Sequence, residues 1–356
     1  MDGLNLEDFK DVFDNPSFNI PVRYDGKNYL DTLTSIYRLY CSSLSSLFFH
    51  NDSVRDIAPQ VEHICDEIID SIKLYLNGKP SDAYQRFHDL FLGTLMENQF
   101  TIYSTLYDPA ILETKSRQGR SKLFRARNVF ENRTFNRKEI FHPPFQFRNK
   151  VGTSRYSIAG YPSSYLSTSL ELCLEELEYD FKPGRYICSR FELANDNSAR
   201  IIELGIKPSD FWDIKELSKS KRGQLIDTSM LSNEETLKNY YLWFPLIIAC
   251  SFIRVDRRDP FAVEYIVPQL LMQSIRSFKT NNVFMGIRYF SCTSGYSSEL
   301  GFNYVFPTNF DGYSLDYCPV LSKAFLITMP LFLNEYKNIP NCETALRNSS
   351  TDDIFH

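Results

Sequence analysis

The 356-residue sequence lacks the short motifs by which many enzymes are recognised. It contains no GxGxxG or GxxxxGK[ST] loop, so the usual glycine-rich cradles for nucleotide phosphates are missing. It also has no GxSxG nucleophile elbow and no CxxC pair, and its five histidines form no HxH or HxxxH pair. The sequence therefore predicts no metal site. A Ser–His–Asp or Cys–His arrangement stays open, because such groups can converge from distant parts of a chain.

Long apolar runs and a strong charge imbalance are missing as well. The longest apolar run, "YYLWFPLIIACSFI" at 240–253, is shorter than the ~20 residues of a membrane span, and the N-terminus is acidic without an apolar signal core. The net charge of −5 creates no field that attracts nucleic acid, although 115–127 is locally basic. Eight scattered cysteines are typical of reduced core residues. We expect a cytoplasmic protein with neither a membrane nor a nucleic acid as partner.

The residues that are present predict a large core and a helical start. The hydrophobic fraction is 43% and the chain has 29 Phe and 22 Tyr, so rings should fill much of the core. Apolar residues recur every three or four positions from Val54 to Tyr75, and again from Phe87 to Leu95. With an earlier helix over 30–49, these stripes predict a small helical bundle before about residue 110.

The pattern changes after the basic stretch, which we interpret as a solvated linker over 115–122. Short runs rich in Ile, Val, Phe and Tyr predict strands, and helical patterns lie irregularly between them. The predicted strands cover 185–193, 199–204, 283–291, 301–306 and 322–330, and the predicted helices cover 168–179, 230–250 and 265–278. Because strands and helices do not alternate regularly, the fold class is α+β.

Arginines, tyrosines, a carboxylate and a serine remain as candidate functional groups. Guanidinium groups bind phosphate oxygens in pairs, and a tyrosine ring can stack on a flat base. A carboxylate can stabilise the positive charge that develops on a sugar when an N-glycosidic bond breaks. This set of groups fits an anionic dinucleotide better than it fits proton abstraction.

Five fragments that carry these groups occur in one order along the chain. They are "LFRAR" (123–127), "EIFHPPFQFRNKVGTSRYSIAGYPSSYLSTSLELCLEEL" (139–177), "FAVEYIVPQLLMQSIR" (261–276), "GIRYFS" (286–291) and "GFNYVFP" (301–307). In this order the chain resembles the RES-domain family. The resemblance implies an ADP-ribosyltransferase-like RES domain with a mixed β core over 116–338. An N-terminal helical region, 1–115, would precede it, and a polar tail, 339–356, would follow.

The resemblance also implies catalytic residues. Arg125 in "FRAR" would grip a phosphate or ribose, with Arg127 as the alternative, since both lie on the same side of an extended chain. Glu176, which closes the helix after "PSSY", would stabilise the ribosyl cation. Glu175 is its alternative, because successive helix positions point about 100° apart and only one can face a pocket. Ser291, at the end of "GIRYFS", would orient the nicotinamide-side ribose.

Substrate-binding residues follow in the same way. Arg155 in "RYSIAG" would meet phosphate, Tyr165 in "PSSY" would stack near nicotinamide, and Arg127 would assist. Without the resemblance, the same side chains are interpreted as surface arginines, a ring at the edge of the core and a solvated helix face.

Together these implications predict an enzyme that degrades NAD+ by cleaving its nicotinamide N-glycosidic bond, with water or phosphate as acceptor, and that serves as a toxin or defence effector. NAD+ would be a substrate, and no cofactor would be permanently bound. The alternatives are an ADP-ribosyltransferase acting on a macromolecule and a non-catalytic nucleotide-sensing module. The extra N-terminal residues and the insertion at 205–245 could bind an antitoxin, a regulatory protein or a second copy of the chain.

Overall fold

The computed structural model describes residues 4–25, 28–48, 57–97, 103–105, 122–131, 133–177, 185–194, 200–256, 258–277, 284–310, 312 and 316–355. Within these residues the chain forms helices in its N-terminal part and a mixed sheet flanked by helices further on. The fold is therefore α+β with an N-terminal helical region, as the sequence predicts. Residues 115–121 of the predicted linker, 115–122, lie outside the described residues.

The chain forms two compact units. The first, here the helical unit, comprises Met1–Tyr103, Ile206–Lys219 and Asp227–Lys279. The second, here the sheet unit, comprises Ser104–Gly205, Ser220–Ile226 and Thr280–His356. The insertion at 205–245 and the segment 261–276 thus lie mainly with the N-terminal helices. The boundaries at 115 and 338 stay a prediction about independent domains, because compact packing is not in itself independent folding.

Seven helices of the helical unit lie within the described residues. They are α1 (Leu6–Phe13), α2 (Tyr29–Phe48), α3 (Ala58–Leu76), α4 (Pro80–Glu97), α7 (Ile214–Leu217), α8 (Glu234–Ala249) and α9 (Ile266–Ser277). The predicted apolar stripe of α3 is buried from Ile57 to Ile72, and Tyr75 at its end is half-buried. α3 ends before Gly78, whose φ of 76° suits a residue without Cβ. No helix among the described residues combines the length and the apolar character needed to cross a bilayer.

Aromatic rings fill the core of the helical unit, as the composition predicts. Phe13 of α1 stacks on Tyr241 of α8 with ring centroids 5.5 Å apart, and it meets Phe244 edge-on at 4.8 Å. Tyr40 of α2 lies 5.0 Å from Phe244, and its hydroxyl donates to the carbonyl of Tyr241 at 2.7 Å. The N-terminal helices and α8 therefore share one core, although about two hundred residues separate them in the chain.

The remaining helices and most strands belong to the sheet unit. The helices are α5 (Arg137–Ile140), α6 (Leu170–Glu176), α10 (Pro319–Ala324) and α11 (Ile339–Asn348). The strands are β1 (Tyr103–Thr105, at the unit boundary), β2 (Lys122–Val129), β3 (Ser163–Ser167), β4 (Arg185–Leu193), β5 (Arg200–Leu204), β6 (Phe284–Phe290), β7 (Phe302–Pro307), β8 (Phe325–Thr328), β9 (Leu331–Phe332) and β10 (Thr351–Asp352).

Two differences from the sequence-based assignment concern the C-terminal part. The run 322–330 was expected to be one strand, but α10 continues to Ala324 and only Phe325–Thr328 is β8. The reason is Pro319, whose fixed φ favours the first turn of a helix. The segment 339–355, expected to be a polar tail, contains α11 and the strand β10, which pairs with β8.

The sheet runs β1-β5-β6-β7-β3-β2-β4-β8-β10, with β9 beside β4. β5 and β6 are parallel and the other described pairs are antiparallel. α6 and α11 cover one face around Phe124 and Cys188, and the other face carries a larger apolar cluster around Leu166, Phe191 and Phe306.

The sheet splits between β2 and β3. β2 pairs with β4 along its whole length, from Lys122 to Val129, but it pairs with β3 at one position only, Phe124 opposite Ser167. Beyond that position the strands diverge, and backbone that would otherwise form ladder bonds borders open space. The gap between the two strands opens into a cleft, whose walls include residues of β2 and β3.

Candidate functional site

A cleft of about 190 Å³ lies at the split between β2 and β3. Its lining comes from β2, from β3 and from the loop that precedes β3, and it is rich in hydroxyl groups. The lining residues are Arg125, Pro143, Val151, Gly152, Thr153, Ser154, Ser157, Pro162, Ser163 and Tyr165. A single cation, hydroxyls and an aromatic ring are groups that can bind a polar, anionic ligand.

Arg125 is the cationic side chain of this lining. Its Nη1 donates to the main-chain oxygen of Tyr165 at 3.3 Å, while its Nε is buried without a hydrogen-bond partner. Burial, and secondarily the charge of Arg127, lowers the pKa of Arg125 to about 10. The guanidinium therefore remains charged at neutral pH, and an anion in the cleft would relieve its incomplete hydrogen bonding.

The other two predicted arginines have different surroundings. Arg127 is exposed, and its Nη1 donates to the main-chain oxygen of Glu139 at 2.6 Å, at the end of α5. Arg155 is buried in the loop before β3, with 9% of its surface exposed. Of the two adjacent candidates on β2, Arg125 is the one that lines the cleft.

Tyr165 lies on β3 with its ring half-buried and its hydroxyl fixed. The hydroxyl is 2.8 Å from Oγ of Ser157 and accepts from the main-chain nitrogen of Tyr156 at 3.3 Å. Oγ of Ser157 in turn donates to Oγ of Ser163 at 2.9 Å. These hydrogen bonds join the loop before β3 to the strand itself, so the loop and the ring of Tyr165 form one wall of the cleft.

Glu176 is the last residue of α6 and is held by two side chains. Oγ1 of Thr293 donates to its Oε2 at 3.0 Å, and Nδ2 of Asn303 donates to its Oε1 at 2.6 Å. Glu175 lies instead near exposed Tyr296, on which its charge acts. Between the two adjacent glutamates, Glu176 is therefore the one turned toward β6 and β7.

Ser291 follows β6 and is fully buried. Its Oγ lies 2.9 Å from Oγ of Ser297 and accepts from the main-chain nitrogen of Thr293 at 3.2 Å. The serine therefore lies in the loop that supplies Thr293 to Glu176, but its own hydrogen bonds stay within that loop.

Two further residues connect the predicted groups. Burial raises the pKa of Tyr289 well above its ordinary value, and the charges of Glu176 and Tyr165 raise it further, while Arg155 acts in the opposite direction. Burial likewise raises the pKa of Cys173 to about 12, with Arg125 lowering it and Glu176 raising it. Tyr289 is opposite Asn303, the partner of Glu176, and its ring lies 4.8 Å from that of Tyr156, whose main-chain nitrogen donates to Tyr165.

Sequence reasoning missed Tyr289, Thr293 and Asn303. A signal existed for Asn303, because an amide inside the apolar strand "FNYVF" is unusual and calls for a polar partner. Tyr289 lies within "GIRYFS", but a tyrosine in a strand is ordinary. Nothing in the sequence distinguishes Thr293 from other loop hydroxyls, since its role depends on where α6 ends.

Metal ligands are not assembled here. No group of three or more His, Cys, Asp and Glu side chains that could hold an ion occurs in the part of the chain that the structure describes. His142 is buried, with Nε2 accepting from the main-chain nitrogen of Cys318 at 2.9 Å.

Fold and site together define an α+β protein with a split sheet, a hydroxyl-rich cleft lined by Arg125 and Tyr165, and a carboxylate, Glu176, that is held by Thr293 and Asn303 and is not among the residues lining the cleft. Over 318 residues the chain is 27% identical to a protein described as "Putative toxin YopC" from Bacillus subtilis (strain 168). The alignment covers 88% of this chain and 68% of that protein. No family model matches the chain, and no solved structure matches it.

Proposed function

We propose that the protein is an NAD+-degrading enzyme that cleaves the N-glycosidic bond to nicotinamide, with water or phosphate as acceptor. One observation carries the proposal: Arg125 and Tyr165 line the same cleft, and the carboxylate of Glu176 is held by hydrogen bonds from Thr293 and Asn303, which lie far along the chain from it. The proposal assigns the chain to the RES-like enzymes that its ordered fragments resemble.

The cleft would bind the charged part of the dinucleotide. Arg125 supplies a desolvated guanidinium, and the hydroxyls of Thr153, Ser154 and Ser157 surround it. Phosphate oxygens accept from guanidinium and hydroxyl donors, and a desolvated donor interacts more strongly than one in water. Arg155, buried in the same loop, would add a second positive charge.

Glu176 would stabilise the ribosyl cation. Bond cleavage to nicotinamide builds positive charge on the sugar, and a fixed carboxylate is an electrostatic complement to that charge. Nicotinamide leaves as a neutral molecule, so no strong general acid is required at the leaving group. Tyr165, whose hydroxyl is already fixed by Ser157, would provide the flat surface beside the leaving ring.

A toxin or defence role follows from the same chemistry, because loss of NAD+ stops the metabolism of a cell. The toxin description of the Bacillus subtilis relative supports this role. Such a protein requires control, and an antitoxin or another regulatory protein is the kind of partner that we propose for it.

Nicotinamide release tests the proposal. Purified protein is incubated with NAD+, with and without phosphate, and the products are identified by mass as nicotinamide with ADP-ribose or with ADP-ribose 1″-phosphate. Release in either buffer supports the proposal. No release in both buffers, and no labelled macromolecule in lysate, contradicts it.

Matched variants assign the activity to the site. We expect Glu176→Gln to reduce kcat by about 10²–10³-fold, as is usual when one electrostatic stabiliser is removed. Glu175→Gln, one position earlier on α6, should retain nearly full activity. Equal losses in both variants would contradict the assignment. NAD+ binding without turnover, unaffected by Glu176→Gln, would favour the nucleotide-sensing alternative, and a labelled acceptor would favour the transferase.

A further inference from the structure

The carboxylate of Glu176 has two partners, and neither belongs to the set that the resemblance implies. Thr293 donates to Oε2 at 3.0 Å and Asn303 donates to Oε1 at 2.6 Å, so each oxygen receives one hydrogen bond. The terminal torsion of a glutamate has no sharp intrinsic minimum. Its orientation must therefore come from such contacts, and here two donors on different elements set it.

Asn303 is itself fixed by a serine. It is buried with 3% of its surface exposed, and its Oδ1 accepts from Oγ of Ser167 at 2.5 Å. A carboxylate can only accept, so the amide nitrogen must face Glu176 and the amide oxygen must face Ser167. Ser167 and Asn303 are directly opposite each other on β3 and β7, and Tyr289 is opposite Asn303 on β6. Ser167, Asn303 and Tyr289 thus form a row across three neighbouring strands, and the carboxylate of Glu176 binds the middle residue of this row.

Close packing at the start of β7 keeps this row in register. Oγ1 of Thr168 accepts from the main-chain nitrogen of Phe302 at 3.0 Å, one residue along from Ser167 and Asn303. Gly301 precedes it with a φ of 145°, and a Cβ at this position would collide with Oγ1 of Thr168. The glycine therefore allows β3 and β7 to meet where the amide reaches Glu176.

Thr293 is held by the loop that contains Ser291. The hydroxyl of Ser291 accepts from the main-chain nitrogen of Thr293 at 3.2 Å and lies 2.9 Å from Oγ of Ser297. Because the hydrogen bonds of the Ser291 hydroxyl go to Thr293 and Ser297, Ser291 acts on the carboxylate through Thr293.

We infer that Thr293 and Asn303 are positioning residues that clamp the Glu176 carboxylate, and that Ser291 and Ser167 act through them. The catalytic part of this inference rests on the proposed NAD+-cleaving function. The two hydrogen bonds that hold Glu176 do not depend on which reaction the protein catalyses. It assigns Ser291 a supporting role in place of the expected contact with ribose.

Two substitutions at one position test the clamp. Thr293→Val is nearly isosteric and removes the hydroxyl, whereas Thr293→Ser keeps it. We expect Thr293→Val to lower kcat for nicotinamide release by about 10- to 100-fold with an unchanged KM, the size of loss that follows when a reacting group is misplaced. Thr293→Ser should retain most activity. Thr344→Val, on the exposed side of α11, is the matched control and should behave as wild type.

Combined variants separate positioning from direct contact. In a Glu176→Gln background, Thr293→Val should cause little further loss, because its target charge is gone. Ser291→Ala combined with Thr293→Val should lose no more than Thr293→Val alone. Full additional losses in either combination, or equal losses in Thr293→Val and Thr293→Ser, would overturn the inference.

A measurement of stability tests the clamp without relying on the proposed reaction. If wild-type protein releases no nicotinamide, the proposed function fails, and the cycle of Asn303→Asp and Glu176→Gln is measured by urea unfolding instead. Asn303→Asp places a carboxylate against Glu176, so its destabilisation should largely disappear when Glu176 is Gln. Additive destabilisation of the two changes would overturn the clamp itself.

Discussion

His142 shows how one buried side chain makes the stability of the fold depend on pH. Its Nδ1 lies 2.8 Å from the main-chain oxygen of Pro143, and its Nε2 accepts from Cys318. An acceptor nitrogen has no proton, so the ring is neutral with its proton on Nδ1. Burial, opposed in part by the bond to Pro143 and reinforced by the charge of Arg125, lowers the pKa of His142 to about 4.

The first prediction concerns pH. Between about pH 6.5 and pH 4 the unfolded chain binds a proton at this histidine that the folded chain does not bind. The free energy of unfolding should therefore fall as pH falls through this window, by about 2 kcal/mol between pH 7 and pH 5 from this group. His142→Gln should reduce that dependence in urea unfolding. His63→Gln, on the exposed side of α3, is the control. An identical pH dependence in His142→Gln and wild type would contradict the prediction.

Single residues also show the limits of sequence reasoning. Arg125 and Arg127 could not be separated from the sequence, because both lie on the same side of an extended strand and the preference depends on where β3 leaves β2. The choice between Glu176 and Glu175 could not be made from the sequence for a similar reason. Asn303 and Thr293 come from β7 and the loop after β6, so their meeting with α6 depends on tertiary packing that no local pattern encodes.

The helix α6 shows how one element is positioned by another that follows much later in the chain. The side chain of Ser169 caps it by accepting from the main-chain nitrogen of Leu172 at 3.2 Å. Glu343 of α11 accepts from the main-chain nitrogen of Leu170 at 2.9 Å. Two of the unpaired donors at the start of α6 are thereby satisfied. Arg347, one turn along α11, pairs with Glu343 at 2.7 Å.

A second prediction follows for this contact. Glu343→Ala should lower the free energy of unfolding by about 1–2 kcal/mol, the usual effect of losing a capping acceptor. Burial raises the pKa of Glu343, so the carboxylate loses part of its charge at a higher pH than an exposed glutamate would. Glu343→Gln keeps an acceptor oxygen, so it should lower the free energy of unfolding less than Glu343→Ala does. Urea unfolding measures both changes, with Glu335→Ala on the exposed surface as control. An equal loss of unfolding free energy in Glu335→Ala and Glu343→Ala would refute the capping role of Glu343.

Elements with a strong period were predictable, and those defined by packing were not. β4 occupies the run predicted over 185–193, and α2, α8 and α9 agree with their predictions to within a few residues. β3 escaped prediction because "SSYLS" has little apolar character, although β7 pairs with it along its whole length. α11 was missed because its polar sequence buries only Cys342 and Leu346.

At the scale of the whole molecule, the third prediction concerns the N-terminal region. A fragment of residues 1–115 should not fold alone, because Phe13 and Tyr40 pack on Tyr241 and Phe244 of α8. Far-UV circular dichroism and thermal melting of the fragment should show a non-cooperative transition, while the full chain melts cooperatively. A sharp melt of the fragment would show that the predicted boundary at 115 separates an independent domain.

The fourth prediction concerns the C-terminal segment. Truncation after residue 338 removes α11 and β10, including the fully buried Cys342 and Leu346 and the largely buried Ile354. Because burying one large apolar side chain contributes about 1.5–3 kcal/mol, the loss should remove a large share of the about 5–15 kcal/mol by which an ordinary domain is stable. The truncated protein should be recovered mainly in the insoluble fraction on expression. Removal of residues 355 and 356 alone is the control. Soluble, cooperatively melting truncated protein would contradict this expectation.

The contact between Glu343 and α6 also has a consequence for biosynthesis. The ribosome makes the helix that carries Glu176 long before it makes the carboxylate that caps that helix. A nascent chain that stops short of α11 therefore carries Glu176 on a short helix in which the main-chain nitrogen of Leu170 lacks its acceptor. For a protein whose proposed activity would harm the cell that makes it, this order of synthesis delays assembly of the working site until translation has passed residue 343.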